Sequence, residues 1–253
     1  MKKKTIVLAY SGGLDTSVVL HWLKENYNAN IIAYIADLGQ GEDLKSIGRR
    51  AKKVGASKIY IEDLKNEFVK NFIFPMLQSS AVYEGSYLLG TSIARPLIAK
   101  RQIEIAKKEK AFAVSHGCTG KGNDQVRFEL TFKALAPKID IIAPWRVWDL
   151  KSREDCIAYA KKNNISIPVT KSKPYSCDRN IYHISYEGGI LEDPWTEAPS
   201  KMYEMVKNLE KTPNKSTYLT ISFKNGIPYA LNGKKINPVN LLTRLNKIGG
   251  QNG

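Results

Sequence analysis

Short apolar runs alternate with amphipathic stretches over the first 143 residues of the chain. Five of these runs are rich in β-branched residues and predict strands at residues 5–9, 30–36, 57–61, 111–115 and 139–143. Apolar side chains at helical spacing separate the runs, in three groups: Val19, Trp22 and Leu23; Ile93, Leu97 and Ile98; and Phe128, Phe132 and Leu135. Strands that alternate with helices in this way predict an α/β fold with a doubly wound parallel sheet.

The pattern changes in the last third of the chain. Residues 170–200 contain Lys-Pro, Gly-Gly and Asp-Pro pairs, which predict an ordered loop with short elements. Farther on, apolar runs at 218–223 and 227–231 flank Asn225 and Gly226. An Asn-Gly pair between two such runs predicts a β-hairpin.

One more helix is predicted after the hairpin. Asn237 provides an N-cap and Pro238 a first-turn residue, and the apolar spacing that follows predicts a helix closing at Gly249. We therefore divide the chain into a first domain at residues 1–168 and the beginning of a second, α+β domain at residues 169–253.

Composition places the chain among ordinary globular proteins. It has 253 residues, of which 43% are hydrophobic and 25% charged, without the biases of fibrous or disordered chains. The longest unbroken apolar stretch, residues 31–36, is far shorter than the roughly 18 residues that a spanning helix needs. Lys2, Lys3 and Lys4 imitate the start of a signal peptide, but no cleavage region follows them. We expect a cytoplasmic protein with no membrane partner.

Charge and cysteine content narrow the possible partners further. The chain has 39 Lys and Arg against 24 Asp and Glu, a net charge of +15 that could attract a polyanion. The lysines are dispersed along predicted helices, which favours a solvated surface, and we expect no nucleic-acid partner. The three cysteines are widely spaced and without a Cys-x-x-Cys pair, so we expect free thiols and no protein metal site.

The most informative segment follows the first predicted strand. Gly12 and Gly13 allow the backbone to approach a ligand closely, and the hydroxyls of Ser11, Thr16 and Ser17 surround the start of a helix. In a parallel sheet ligands bind at this end of a strand, and a helix N-terminus favours an anion. The segment therefore predicts a phosphate-binding loop, with an ordinary capped turn as the alternative.

A second glycine-rich segment, residues 117–122, superficially resembles a Walker A motif. Ser115 stands where that motif requires its first glycine, and Gly122 stands where it requires Ser or Thr for magnesium. This segment is therefore not predicted to be a P-loop.

Four segments together carry a family resemblance. SGGLDTS at residues 11–17 resembles the pyrophosphate loop of the N-type ATP pyrophosphatases. With YLLGTSIARPLIA at 87–99, SHGCTGKGNDQVRFE at 115–129 and HISYEGGILEDP at 183–194, it is similar to the argininosuccinate synthase family, and the similarity runs from residue 4 to residue 253. The resemblance implies a nucleotide-binding domain like that of the adenine nucleotide α hydrolases, followed by part of a synthetase domain.

The resemblance also implies a reaction. Members of this family condense citrulline with aspartate through a citrullyl-adenylate, using ATP and magnesium and releasing AMP and pyrophosphate. They form homotetramers through a C-terminal helix, and this helix and two citrulline-binding residues would follow residue 253. A truncated, catalytically weak ATP-binding fragment is therefore one alternative, and a tRNA-modifying adenylase with the same loop is another.

Each substrate is assigned residues by this resemblance. The ATP-binding residues would be Ala9, Tyr10, Ser11, Gly12, Gly13, Leu14, Asp15, Thr16, Ser17, Ala36 and Gly117. The aspartate-binding residues would be Thr119, Asn123 and Asp124, and the citrulline-binding residues Tyr87, Ser92, Asn123, Arg127, Ser176 and Ser185. The carboxylate of Asp124 suits an α-amino group, and the guanidinium of Arg127 suits a carboxylate. His116 fits a ligand contact or a structural histidine equally well, and no general base is assigned.

Overall fold

A five-stranded parallel sheet organises the N-terminal part of the chain. The computed structural model describes residues 3–120, 122–166 and 175–253. The sheet contains β1 (Thr5–Ala9), β2 (Asn30–Asp37), β3 (Lys58–Asp63), β4 (Ala113–Ser115) and β5 (Asp140–Ile142). Its spatial order is β3-β2-β1-β4-β5, and every neighbouring pair is parallel. The predicted doubly wound parallel sheet is confirmed.

Helices occupy most of the chain between these strands and recur after them. Those described are α1 (Leu14–Tyr27), α2 (Leu44–Val54), α3 (Lys65–Phe68), α4 (Phe74–Gln78), α5 (Gly90–Lys108), α6 (Asn123–Leu135), α7 (Arg153–Lys162) and α8 (Pro238–Asn252). None of the helices in the described part of the chain is both long and apolar enough to cross a membrane.

The sheet and its helices enclose an apolar core built from the predicted helical faces. Val19 and Leu23 of α1 and Phe132 of α6 are fully buried, and α1 also packs against α7. Leu135 is an error of the prediction, since it remains 42% exposed at the last position of α6.

Strand β4 is shorter than predicted, because Ala111 closes the turn that follows α5. Lys110 has a positive φ of 51°, and the amide of Ala111 donates to the carbonyl of Ala106 at 2.9 Å. These features end the helix in a tight turn, so the sheet ladder begins at Ala113.

Residues 64–91 and the C-terminal part of the chain contain the remaining elements. A π-helical turn, Val69–Ile73, joins α3 to α4. Strands β6 (Ser176–Arg179) and β7 (Ile184–Glu187) form an antiparallel pair, and β8 (Ile221–Lys224), β9 (Ile227–Leu231) and β10 (Lys234–Lys235) form a second small sheet. Three short 3-10 helices follow β7: Gly189–Glu192, Ser200–Met202 and Leu209–Lys211. Another, Pro144–Arg146, follows β5.

The hairpin and the final helix largely match their predictions. β8 and β9 are joined through Asn225 and Gly226, whose φ values are 51° and 74°, as a two-residue type I′ turn requires. Asn237 caps α8 by accepting a hydrogen bond from the amide of Asn240 at 2.8 Å. The predicted end at Gly249 is wrong, since α8 continues to Asn252. Another backbone segment approaches Gly250 closely: the Gly250 carbonyl accepts from the amide of Lys207 at 2.9 Å, and a β-carbon there would lie 2.0 Å from the carbonyl oxygen of Met205.

The chain divides into two compact units. The first comprises Met1–Asp37, Gly41–Asp63 and Ser92–Thr170, and the second comprises Leu38–Gln40, Leu64–Thr91 and Lys171–Gly253. The division predicted from the sequence, at residue 168, places residues 64–91 in the first domain. In the structure they belong to the second unit, together with the C-terminal segment.

Candidate functional site

The order of the strands in the first unit reverses at β1. The chain runs outward from β1 through β2 to β3 and then returns to place β4 on the other side of β1. β1 and β4 pair in parallel with Leu8 opposite Ser115, so the segments that follow both strands start side by side. In doubly wound sheets, ligands bind in the crevice at this switch point.

A buried glutamine joins these two central strands. Gln102 of α5 is fully buried, and its side-chain amide donates to the carbonyls of Val7 and Ser115, each at 2.8 Å. Gln102 therefore fixes the edge from which the two segments leave the sheet. Sequence reasoning missed this residue, because an isolated glutamine in a helix carries no signal of its own.

The loop after β1 presents its backbone at the start of α1. Gly12 has a positive φ of 81°, a conformation that favours glycine. Gly13 is the N-cap of α1, and no side chain among the described residues caps that helix end. The first-turn amides of α1 thus lack a side-chain partner in the described structure, which is the arrangement that binds anions.

The hydroxyls of this loop fall into two pairs. The Ser11 and Thr16 side-chain oxygens lie 3.1 Å apart, and Ser11 is exposed. The Tyr10 hydroxyl lies 2.9 Å from the Ser17 hydroxyl, and both of these residues are buried. Burial raises the pKa of Tyr10, while its hydrogen bond to Ser17 and the charge of Arg50 lower it. Of the first pair, Ser11 is open to a ligand while Thr16 is buried, and the second pair supports the loop from inside the protein.

The segment after β4 approaches the same loop. A β-carbon placed on Gly117 would lie 2.7 Å from the methyl carbon of Thr16, so only glycine fits at this separation. On the other side of β1, Ala36 lies near the carboxyl end of β2, two residues beyond Tyr34, the partner of Ala9. The structure therefore brings Gly117 against the predicted phosphate loop and places Ala36 one strand away from it.

Two other residues of the predicted ATP set have buried or half-buried side chains. Leu14 is buried against the core. Asp15 is half-buried; burial raises the pKa of its carboxyl, and the positive charge of Arg153 opposes that rise. In the first turn of α1, these two residues therefore offer a ligand their backbone more readily than their side chains.

His116 is a buried, neutral histidine that holds the segment after β4. Its Nδ1 accepts a hydrogen bond from the amide of Cys118 at 3.3 Å, so the proton lies on Nε2, which donates to Glu129 at 3.1 Å. Burial lowers the pKa of His116, and its hydrogen bond to the Glu129 carboxylate only partly opposes this effect. Arg146 pairs with the same carboxylate at 2.7 Å. These contacts support the structural interpretation of His116.

Asp124 is held between two arginines at the start of α6. The Nε of Arg95 donates to Asp124 Oδ2 at 2.7 Å, and the Nη1 of Arg127 donates to Oδ1 at 2.8 Å. Sequence reasoning missed Arg95, although it lies three residues after Ser92 and therefore on the same face of α5. The structure thus links a residue predicted for aspartate, Asp124, with one predicted for citrulline, Arg127.

The other predicted substrate residues of the first unit are accessible. Thr119 and Asn123 are exposed, and Ser92 is half-buried. Thr119 lies in the segment after β4 and Asn123 is the first residue of α6. Thr119 and Asn123, both predicted to bind aspartate, are therefore accessible in and just after the segment that approaches the phosphate loop.

Three predicted citrulline residues belong to the second unit. Ser176 pairs with Glu187, and Ser185 pairs with Asp178, in the β6–β7 ladder. Because side chains alternate along a strand, both serines lie on one face of this pair. Tyr87 lies elsewhere in the unit.

A histidine fixes the surroundings of Tyr87. The rings of Tyr87 and His183 meet edge to face with centroids 5.5 Å apart, and Nε2 of His183 lies 3.2 Å from the Thr91 hydroxyl. A β-carbon on Gly90 would come within 2.3 Å of His183. His183 was not among the predicted site residues, although it begins one of the four resembling segments.

Both parts of the chain match family models. A model described as the arginosuccinate synthase N-terminal HUP domain matches residues 5–166. A model described as the arginosuccinate synthase C-terminal domain matches residues 175–253.

Curated relatives match along the whole chain. The argininosuccinate synthase of Acetivibrio thermocellus is 62% identical over 253 residues, which is 100% of this chain and 62% of that protein. That of Desulfitobacterium hafniense is 60% identical over 250 residues, or 99% of this chain and 62% of that protein. The chain therefore spans about 62% of the length of these relatives.

Among solved structures, a U34-tRNA thiolase, NcsA from Methanococcus maripaludis, matches with a TM-score of 0.45 and 17% identity, over 69% of this chain and 60% of that one. This likeness is too weak to inform either fold or function.

Proposed function

Because the chain belongs to the argininosuccinate synthase family, we propose that the protein is a carbon–nitrogen ligase that condenses citrulline with aspartate to argininosuccinate, using ATP. The family model over residues 5–166 and relatives at 60–62% identity support this proposal. A cytoplasmic location and the small-molecule partners citrulline and aspartate are parts of the same proposal.

The observation that carries the proposal is the convergence of two loops at the switch point of the sheet. Gly12 and Gly13 precede α1, and Gly117, in the segment after β4, packs against Thr16. A nucleoside triphosphate carries the anionic groups that such a site favours. This convergence supports the proposed ATP set, which comprises Ala9–Ser17, Ala36 and Gly117.

The proposed chemistry has two steps. The ureido oxygen of citrulline attacks the α-phosphorus of ATP, a P–O bond forms, and the bond to the β-phosphate breaks with its electron pair leaving on pyrophosphate. The α-amine of aspartate then attacks the ureido carbon of the citrullyl-adenylate and expels AMP. The chain's task is to position these groups and to neutralise charge that develops on phosphate oxygens.

Residues at the start of α6 are proposed to hold the amino-acid substrates. Thr119, Asn123 and Asp124 would bind aspartate, and Ser92, Asn123 and Arg127 would bind citrulline. Arg127 uses Nη1 for Asp124, and a guanidinium has five N–H donors, so others remain for a substrate carboxylate. Tyr87, Ser176 and Ser185 complete the proposed citrulline set.

Magnesium is proposed to arrive with ATP. Groups of three or more acidic, histidine or cysteine side chains that could hold a metal are absent from the described residues. Mg²⁺ commonly binds through substrate phosphates with one or two protein oxygens, and the exposed hydroxyl of Ser11 offers an oxygen of this class at the loop. When bound, the ion would reduce the negative charge of the phosphates.

We also propose that residues 1–168 form the nucleotide-binding domain and that residues 169–253 form the N-terminal portion of a synthetase domain. The separate family models, at 5–166 and 175–253, support this division.

The position of ATP cleavage tests the proposal. ATP labelled separately at the α- and γ-phosphates is incubated with the purified protein, citrulline and aspartate, and the products are separated. We expect labelled AMP and pyrophosphate, and label exchange from pyrophosphate into ATP that depends on citrulline. Formation of ADP and phosphate, or exchange that is independent of citrulline, would show that the assignment is wrong.

A further inference from the structure

Helix α2 brings a guanidinium to the phosphate loop. Nη2 of Arg50 lies 3.5 Å from the carbonyl oxygen of Gly12, and 3.0 Å from the point where a β-carbon on Gly12 would stand. Ile47, one turn earlier on α2, lies 2.7 Å from the same point. The helix therefore packs directly against the loop, and Arg50 occupies the side of the loop that faces α2.

Arg50 has no carboxylate within ion-pair distance in the described part of the chain, which sets it apart from most arginines around it. Arg95 and Arg127 both pair with Asp124, and Arg146 pairs with Glu129. The adjacent Arg49 lies 3.6 Å from Asp43 at an exposed position. The Nε of Arg50 is buried and has no hydrogen-bond partner among the described residues.

The charge of Arg50 acts on two nearby groups, Glu42 and Tyr10. Burial raises the pKa of Glu42, and the positive charge of Arg50 only partly opposes this rise. Tyr10, the residue that precedes Ser11, is affected by the same charge. A half-buried guanidinium with unused donors is costly unless an anion completes it.

We propose that Arg50 binds the pyrophosphate half of the nucleotide and is the cationic group of the loop after β1. This inference rests on the proposed function, since it takes ATP as the ligand. The loop supplies neutral amides and hydroxyls, whereas Arg50 supplies a formal positive charge and a planar pair of donors that match phosphate oxygens. The loop has no Walker-type lysine, so a cation from a neighbouring helix fulfils that role. Charge that develops on the departing pyrophosphate would lie against this guanidinium.

A purely structural role for Arg50 predicts a different result. Its contact with the Gly12 carbonyl is long, and if it served only to shape the loop, its loss would weaken every ligand of the site to a similar degree. A phosphate-binding role predicts a loss confined to ligands that carry the β- and γ-phosphates. The comparison between ligands therefore separates the two roles.

Calorimetric binding with three probes provides the test: magnesium-ATP, magnesium-pyrophosphate and AMP. We expect Arg50→Met to weaken ATP and pyrophosphate binding about 10- to 100-fold, the effect of one lost charge-assisted hydrogen bond. AMP binding should change less than about threefold, well below one such bond. Arg50→Lys, which keeps the charge but loses the planar pair of donors, should lie between. Arg49→Met, on the same helix at an exposed position, is the matched control and should bind all three probes like the unmodified protein.

Each outcome decides one question. If the unmodified protein binds ATP and Arg50→Met binds ATP and pyrophosphate equally well, the inference about Arg50 is overturned while the proposed function stands. Equal losses for all three probes would also overturn it, in favour of a structural role. If the unmodified protein does not bind ATP, the proposed function itself fails. Thermal melting of each variant is measured alongside, and the Lys variant supplies the comparison if the Met variant does not fold.

Discussion

Gly12 is the position where a single added methyl group should have the largest effect on the loop. Its φ of 81° is one that residues with a side chain rarely adopt. A β-carbon there would lie 2.7 Å from Cγ2 of Ile47 and 3.0 Å from Nη2 of Arg50. Arg50 can move because its contact is the end of a flexible side chain. Ile47 cannot move easily because it is only 3% exposed and packs in the core.

Two separate costs follow for Gly12→Ala. The left-handed conformation costs a residue with a β-carbon about 1–2 kcal/mol, and forcing an extra carbon into a packed region costs about 1–3 kcal/mol. We therefore expect the free energy of unfolding to fall by about 2–5 kcal/mol. Any loop displacement that relieves the clash would also move the amides proposed to bind phosphate, so ATP affinity should fall as well.

Gly13→Ala is the matched control, one residue away in the same loop. Gly13 has a φ of −77°, and its added β-carbon would meet only the Ser11 hydroxyl oxygen at an ordinary 3.6 Å. Its cost should stay below about 1 kcal/mol, the difference between glycine and alanine at an N-cap. Urea-induced unfolding measures both variants. If Gly12→Ala is no more destabilising than Gly13→Ala, the reasoning from the φ angle and the Ile47 contact is refuted.

Two further predictions concern charge and thiol chemistry. Asp124→Ala should destabilise the protein by about 1–3 kcal/mol, between the values for exposed and buried ion pairs, and should weaken aspartate use more than ATP binding. Glu104→Ala, which removes a more exposed partner of Arg101, is the control and should cost less than about 1 kcal/mol. Equal effects of the two variants, in calorimetry and in unfolding, would contradict the role given to Asp124. Among the cysteines, burial and the nearby charges of Asp15 and Asp155 raise the pKa of the fully buried Cys156 to about 11, whereas Cys177 is exposed. Alkylation of the native protein at pH 8, followed by peptide mass spectrometry, should therefore modify Cys177 well before Cys156, and early modification of Cys156 would contradict the structure.

The fold of the first unit was predictable because its signals are local and periodic. Each strand of the parallel sheet is a short run of β-branched residues, and the predicted positions of all five agree with the structure to within a few residues. The errors lie at element boundaries, where β4 is shorter and α8 longer than predicted. Ala111 closes the turn after α5, and α8 continues past Gly249 to Asn252, with Gly250 in contact with Lys207, a residue distant in sequence.

Residues 64–91 show the limit of the same approach. Their short helices and π-helical turn carry no long periodic pattern, so the sequence predicts no element there. Phe68 and Phe74 are nevertheless buried, and α3 contacts α8 from the far end of the chain. Such a segment obtains its structure from distant partners, which composition and spacing cannot reveal.

The residues of the candidate site also differ in how far the sequence predicts them. The loop after β1 was predictable because glycines, hydroxyls and a helix start lie together in sequence. Arg95, Arg50 and Gln102 were not, because each acts across a distance set by the sheet order rather than by sequence spacing.

The pairing of Asp124 changes what a substrate must do at the start of α6. Both of its carboxylate oxygens already accept hydrogen bonds from guanidiniums, Oδ2 from Arg95 and Oδ1 from Arg127. An incoming ammonium group would therefore share a carboxylate whose charge is largely balanced, and its attraction to Asp124 alone would be weaker than to an unpaired carboxylate. The same two arginines would, however, attract the carboxylates that both proposed amino-acid substrates carry. We therefore expect Arg95, Asp124 and Arg127 to act as one unit that recognises an amino acid by its ammonium and carboxylate groups together. Loss of Arg95 should then weaken the binding of a substrate carboxylate, although Arg95 was not predicted from the sequence.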